Sequence, residues 1–162
     1  MLAIWLTFFI FITSEIILRL FGLAYPYNGS PLNDEIKIMK YDSTLGWLPK
    51  EGEYIHKKDN SSLDSISYNI LLDGRRITSS SIMNRNKKII IVGCSYTQGW
   101  AISDNQTFAW KLQNKLKSKD FEVMNYGVGA YGTYQYLLML ERINKLLEKP
   151  PELVIYGLFD HH

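Results

Sequence analysis

Three short apolar runs alternate with two longer segments of helical spacing in the second half of the chain, and this alternation constrains the fold most. The runs are residues 89–92, 121–124 and 153–156. The first, Ile-Ile-Ile-Val, is too short for a helix and apolar throughout, as expected of a strand covered on both faces. Strand, helix, strand, helix, strand predicts right-handed crossovers and a parallel sheet. The predicted class for residues 87–162 is α/β.

The two segments between these runs have the pattern of helices. The first is expected to begin at a cap formed by Asp104, and the second covers residues 133–148. Their apolar residues are Phe108, Trp110, Leu112 and Leu116 in the first, and Leu137, Leu140, Ile143, Leu146 and Leu147 in the second. The pair Pro150-Pro151 then ends the second helix, because proline cannot continue one.

The N-terminal segment, residues 1–25, differs in composition from the rest. Residues 2–12 are apolar except for Thr7, and a helix extended to residue 25 has the ~20 residues that a membrane span needs. It includes Glu15 and Arg19, whose i, i+4 spacing suits an ion pair on one helix face. We interpret residues 1–25 as a membrane anchor. A signal peptide ending near residue 24 and a helix of a soluble domain are the alternatives.

Residues 26–86 are predicted to form a linker and a small β-containing lead-in. Residues 26–31 (PYNGSP) have the composition of a linker. Residues 45–49 (LGWLP) indicate a turn, and residues 66–72 partly alternate before Asp73-Gly74, a strong hairpin signal. The pair Arg75-Arg76 that follows is interpreted as solvated surface.

Composition excludes several classes of function. The 18 basic and 16 acidic residues leave a net charge of +2, too small to indicate nucleic-acid binding. A single cysteine, Cys94, excludes an internal disulfide framework and a cysteine-rich zinc site. Three histidines, only two of them adjacent, do not indicate a metal site. We therefore expect no metal and no cofactor.

Three predicted loops, residues 93–99, 125–133 and 157–162, lie at the carboxyl edge of the sheet, where open parallel sheets bind ligands. Ser95, just past the first strand, can present its hydroxyl and its own N–H to one place, which suits acyl transfer. The alternative is that Ser95 and Thr97 only satisfy backbone groups of a turn. The segment also departs from the Gly-x-Ser-x-Gly elbow of α/β-hydrolases.

Longer motifs in these loops resemble the SGNH/GDSL hydrolase superfamily. Residues 91–100 (IVGCSYTQGW) resemble its first block, residues 123–135 (VMNYGVGAYGTYQ) its second, and residues 157–160 (GLFD) its third. The lead-in resembles that of membrane-anchored bacterial members. The resemblance covers most of residues 41–160. Its first two blocks are fairly specific together, whereas the third alone is weak.

The resemblance implies a flavodoxin-like three-layer fold, with about three strands of the sheet present, and cleavage or transfer of acyl esters through a serine. By position, Ser95 is the nucleophile and its N–H one oxyanion donor. Ala130 stands where the family has a glycine whose N–H is a second donor. Alanine keeps that N–H but is less suited to a positive φ. Gly157 and Asp160 occupy positions of the third block.

Other positions depart from the family. Phe159 replaces an asparagine that donates to the oxyanion, and losing one such donor typically costs ~10²–10³ in rate. Cys94 replaces an aspartate and is interpreted as a small half-buried residue. The Asp-x-x-His block that supplies the base is missing beyond the third strand, so the chain is either part of a longer enzyme or inactive as given. In a 2-1-3 strand order, His161 or His162 would be within reach of Ser95.

Two functions follow as expectations. The first is a serine esterase or acyltransferase in a single-pass membrane protein, acting on an acylated small molecule or envelope glycan on the extracytoplasmic side. The second is a non-catalytic, membrane-tethered binding module. A flavin or phosphate site is disfavoured, because residues 100–103 precede the next predicted helix. Three parallel strands alone leave an edge unpaired, so we also expect low stability.

Overall fold

The computed structural model describes residues 2–21, 38–57, 65–81 and 83–158. The chain divides into two compact units, Met1–Glu35 and Ile36–His162. Helix α1 (Leu2–Leu20) belongs to the first and carries the predicted ion pair, with 2.7 Å between Glu15 Oε1 and Arg19 Nη2. Among the described residues, no helix has both the length and the apolar character that crossing a membrane requires. The anchor over residues 1–25 stays a prediction.

The second unit begins with short antiparallel strands and continues with parallel strands and helices. Its described strands are β1 (Met39–Asp42), β2 (Gly46–Pro49), β3 (Gly52–Lys57), β4 (Ser65–Ile70), β5 (Lys87–Gly93), β6 (Phe121–Gly127) and β7 (Leu153–Gly157). Its described helices are α2 (Ser95–Gln98), α3 (Phe108–Lys115) and α4 (Thr133–Leu146), with a 3-10 turn at Asp104–Gln106.

Strands β5, β6 and β7 form the predicted parallel sheet in the order β6-β5-β7. Helices cover both faces of β5, because its side chains alternate between two core clusters. One cluster joins Ile90 and Val92 to Tyr136, Met139 and Ile143 of α4, and the other joins Ile89 and Ile91 to Ala109 of α3. The α/β class and the parallel three-stranded sheet predicted from sequence are confirmed, and the strand order is the 2-1-3 order that was considered from the sequence for His161 and His162.

The lead-in forms two hairpins, β1-β2 and β3-β4, and then turns at Asp73-Gly74 as predicted. Gly74 has a φ of 83°, and the turn closes with a hydrogen bond of 2.9 Å from Leu71 N to Arg75 O. The chain then forms isolated bridges from Arg76 to Ile70 and to Asn125 of β6. The lead-in is thereby hydrogen-bonded to the edge of the parallel sheet.

The predicted helix cap at Asp104 is wrong. Asp104 begins the 3-10 turn and is buried, because its carboxylate accepts hydrogen bonds from Asn69 and Arg76. Helix α3 is capped instead by Thr107, whose hydroxyl accepts from Trp110 N at 3.2 Å. Threonine is one of the residues preferred at the N-cap of a helix.

Candidate functional site

A row of glycines ends the three parallel strands at the carboxyl edge of the sheet. Gly93 lies opposite both Gly127 and Gly157 in the strand register. A Cβ at Gly127 would come within 2.7 Å of the Thr97 carbonyl carbon, and one at Gly93 within 2.6 Å of Thr97 Cβ. A Cβ at Gly157 would overlap Thr97 Oγ1. The missing side chains therefore let α2 pack directly on the strand ends.

Ser95 is the first residue of α2 and is half-buried at this edge. Its carbonyl accepts hydrogen bonds from Gly99 N and Trp100 N, both at 3.0 Å, which closes the turn. Its hydroxyl makes no hydrogen bond to any described group. The N–H groups of a first helical turn have no acceptor inside the helix, so the Ser95 N–H is also available. Ser95 is thus held by its main chain, and its polar side chain is left unengaged.

The short helix α2 was not expected from the sequence. A phosphate site is disfavoured from the sequence because no helix is predicted before residue 104. That expectation is wrong, because α2 begins two residues after the end of β5. Gly99 ends α2 after one turn, because its φ of 82° lies in the left-handed region that favours glycine.

The loop after β6 lies against α2. Its N–H donors and their acceptors are Gly127 to Asn125 Oδ1 (3.0 Å), Val128 to Gly93 O (2.9 Å), Gly129 to Gln98 Oε1 (2.8 Å), Tyr131 to Val128 O (3.3 Å) and Gly132 to Gln135 Oε1 (3.1 Å). In this loop, the Ala130 N–H alone has no acceptor among the described residues. Ala130 is exposed and has a φ of 61°, a conformation that costs a residue with a Cβ about 1–2 kcal/mol.

The lead-in braces this loop through Trp47. Trp47 Nε1 donates to Gly129 O at 3.1 Å, and the hydroxyl of Tyr131 donates to Trp47 O. The hydroxyl of Tyr136 in turn donates to Tyr131 O at 2.7 Å. Burial raises the pKa of Tyr131 and raises that of Tyr136 to about 12, so both phenols remain protonated donors at neutral pH. From the sequence, Trp47 is predicted only to lie in a turn, and no local pattern marks its contact with residue 129.

The interpretation of Arg75-Arg76 as solvated surface is wrong. The Arg76 side chain is fully buried and pairs with Asp104, with 2.7 Å between Nε and Oδ1. Arg75 is half-buried, and its Nη1 lies 2.8 Å from Oε1 of the buried Glu122. The turn at Asp73-Gly74 folds both residues back onto the edge of the sheet, so neither guanidinium extends into solvent.

The remaining predicted site residues are placed as follows. Gly157 is half-buried at the end of β7, in the glycine row. Cys94 is more buried than expected, with 3% of its surface exposed. Phe159, Asp160, His161 and His162 lie outside the described residues. Among the residues that the structure does describe, no group of three or more His, Cys, Asp or Glu side chains could hold a metal ion.

A separate open cleft of about 450 Å³ lies near the start of β6, at the opposite end of the sheet from Ser95. Its walls include Glu53 from β3, Ser79 and Ser80 from the segment before β5, and Glu122. None of the predicted site residues lines it.

Comparisons with known proteins give fold likenesses at low similarity. No protein-family model and no curated protein matches the chain. Among solved structures, it is similar to AlinE4, described as an SGNH-hydrolase family esterase, with 24% identity and a TM-score of 0.40 over 48% of this chain and 42% of that one. A variant of the same esterase matches with 20% identity and a TM-score of 0.39, over 46% of this chain and 41% of the variant. The chain spans about two-fifths of the length of these esterases.

Proposed function

We propose that the chain carries the nucleophile side of an acyl-ester hydrolase site of the SGNH type. Ser95 is the nucleophile, and the N–H groups of Ser95 and Ala130 stabilise the negative charge that develops on the ester carbonyl oxygen. The proposal rests on the packing around Ser95 and on the motifs in the sequence, not on the likeness to solved structures.

The observation that carries the proposal is the free Ala130 N–H, which follows directly after the Gly129 N–H that Gln98 of α2 binds. The neighbouring N–H donors of this loop all have acceptors within the protein, whereas Ala130 is exposed and its N–H faces no described acceptor. The left-handed conformation of Ala130 has a cost, and such strain persists where the surrounding structure imposes it. Gln98 supplies that constraint, because it lies on α2 with Ser95 and binds the N–H of Gly129.

In the reaction, Ser95 Oγ forms a bond to the ester carbonyl carbon, and the bond from that carbon to the alcohol oxygen breaks. The serine proton passes through a general base to the departing alcohol. Water then attacks the acyl-serine, releasing the carboxylic acid and restoring the hydroxyl. His161 and His162 stay the predicted candidates for this base, and Asp160 stays the predicted acid that would orient it.

A fluorophosphonate probe on the full-length gene product tests the proposal, because such probes form a bond to an activated serine. We expect labelling of the unmodified protein and of Ser80→Ala, a control at an exposed serine, and none of Ser95→Ala. A folded protein that takes up no probe at Ser95 would contradict the hydrolase function and favour a non-catalytic binding module.

The substrate within the acyl-ester class stays a prediction, as does location at a membrane. An acylated envelope glycan was predicted from the apolar N-terminal segment alone. Release of acetate from an O-acetylated polysaccharide, compared with hydrolysis of p-nitrophenyl acetate, tests it. Hydrolysis of the small ester with no acetate from the polysaccharide would leave the esterase proposal and remove the glycan.

A further inference from the structure

Arg76 is a buried residue of the lead-in that contacts the segment following Ser95. It has 1% of its surface exposed, and its main-chain N–H donates to Asn125 O of β6 at 2.9 Å. Its guanidinium lies 4.1 Å above the ring centroid of Tyr68. The residue is therefore fixed by the sheet edge at its backbone and by an aromatic face at its side chain.

The guanidinium uses each of its five N–H donors. Its acceptors are Asp104 Oδ1 (2.7 Å from Nε), Gln98 O and Gly99 O (3.0 and 2.6 Å from Nη1), and Ser67 O and Ile102 O (3.0 and 2.7 Å from Nη2). Of the four carbonyls, those of Gln98, Gly99 and Ile102 belong to the end of α2 and the loop directly after it. A buried cation that is fully hydrogen-bonded holds these carbonyls in one arrangement.

We propose that Arg76 is the positioning residue that sets the geometry between Ser95 and Ala130. It acts through Gln98, whose carbonyl it binds and whose side chain binds the Gly129 N–H next to Ala130. This inference rests on the proposed function for its catalytic meaning, because a displacement of about 1 Å at a reacting group can cost ~10² in rate.

The conservative change Arg76→Lys tests the proposal. Lysine keeps the charge that Asp104 requires, but its single ammonium cannot reproduce a planar fork that bridges several carbonyls. We expect the second-order rate constant for fluorophosphonate labelling of Ser95 to fall by about 10- to 100-fold. Amide hydrogen exchange of residues 98–102 should rise in the same variant, relative to the exchange of β5 and β6.

Arg142→Lys is the matched control. Arg142 also pairs with a lead-in aspartate through two contacts, 2.7 and 2.8 Å from Asp42, but it belongs to α4 and donates to no carbonyl of residues 95–102. We expect this variant to lose stability without changing the labelling rate. Equal labelling rates in the two lysine variants, or exchange that rises evenly across the sheet in Arg76→Lys, would overturn the positioning role.

A second variant and a second measurement test the proposal if Arg76→Lys does not fold or if the unmodified protein is not labelled. If Arg76→Lys does not fold, Arg76→Met/Asp104→Asn removes both buried charges together, which spares the fold more than leaving one charge unpaired. The same loss of labelling and the same local exchange are expected, and normal labelling in a folded double variant would overturn the proposal. If the unmodified folded protein is not labelled, the hydrolase function fails by itself, and the exchange of residues 98–102 alone decides whether Arg76 positions α2.

Discussion

Strands β6 and β7 flank the same central strand, yet β6 is buried along most of its length whereas β7 is largely exposed. The lead-in accounts for the difference. Arg76 bridges to Asn125, Thr78 Oγ1 donates to Val123 O at 2.7 Å, and the Tyr126 hydroxyl donates to Asp73 at 2.7 Å. No described strand lies beyond β7, and Leu153 keeps 51% of its surface exposed. We infer that the β6 side of the site is the rigid side.

The largest loss of stability is expected from a substitution at Gly127, the β6 end of the glycine row. Gly127→Ala would place a Cβ against the main chain of α2, 2.7 Å from the Thr97 carbonyl carbon, and a main chain held on both sides cannot give way. We expect a loss of more than about 3 kcal/mol in the free energy of unfolding, measured with urea. A loss below about 1 kcal/mol would show that the β6 side yields as easily as the exposed side.

At the β7 end of the same row, Gly157→Ala should cost less, about 2 kcal/mol, because the added Cβ overlaps the Thr97 hydroxyl, whereas the main-chain atom near it, Val92 O, is 3.4 Å away. In a double-mutant cycle, Thr97→Ala should relieve most of this cost, since it removes Oγ1 and its Cβ lies 3.4 Å from the added atom. Thr97→Ser keeps Oγ1 and is the matched control that should give no relief. Relief by both substitutions would indicate that the hydroxyl is not what Gly157 avoids.

Two valines, one on each flanking strand, test whether the difference in burial between β6 and β7 sets the cost of losing a side chain. Val123 of β6 is 1% exposed and Val154 of β7 is 40% exposed. At ~0.8 kcal/mol for each buried methyl or methylene group, Val123→Ala should cost about 1.5 kcal/mol in urea unfolding, and Val154→Ala less than about 0.5 kcal/mol. Equal losses would mean that the outer face of β7 is covered in the folded protein, and the comparison between the two strands would then fail.

The parallel sheet could be predicted from the sequence, but the buried polar contacts that join the lead-in to it could not. The β-branched run at residues 89–92 and the helical spacing of residues 133–146 depend on local periodicity, which one chain displays directly. The burial of Arg76 depends on carbonyls that lie 22 to 26 residues further along the chain, and carbonyls leave no pattern in a sequence. Asp104 was assigned to a cap for the same reason, because its partners Asn69 and Arg76 lie 35 and 28 residues earlier in the chain. For Ala130 the sequence indicated only that alanine would suit a positive φ poorly, and the structure gives it a φ of 61°.

A smaller, pH-dependent effect is expected where the lead-in meets α4, the helix that joins β6 to β7. The Arg142 guanidinium holds the pKa of Asp42 well below its usual range. A lowered pKa in the folded state contributes stability above the unfolded pKa of about 3.9, and this stability is lost as pH falls below it. Arg142→Gln should therefore cost about 1 kcal/mol at pH 7 and progressively less below pH 4. A cost that stays constant from pH 7 to pH 3 would rule out the charge pair as its source.

The smallest change in stability is expected from a substitution at Ala130, in the loop after β6. Ala130→Gly removes the left-handed penalty of about 1–2 kcal/mol but adds backbone freedom of about 0.5–1 kcal/mol in the unfolded chain, for a net gain of about 0.5 kcal/mol. Ala101→Gly is the matched control, because Ala101 is also exposed and has a φ of 63°. Both variants should gain similar stability in urea, so Ala101→Gly controls for stability alone, and fluorophosphonate labelling of Ser95 should change in Ala130→Gly. Unchanged labelling in a folded Ala130→Gly would separate the conformation of Ala130 from the chemistry of Ser95.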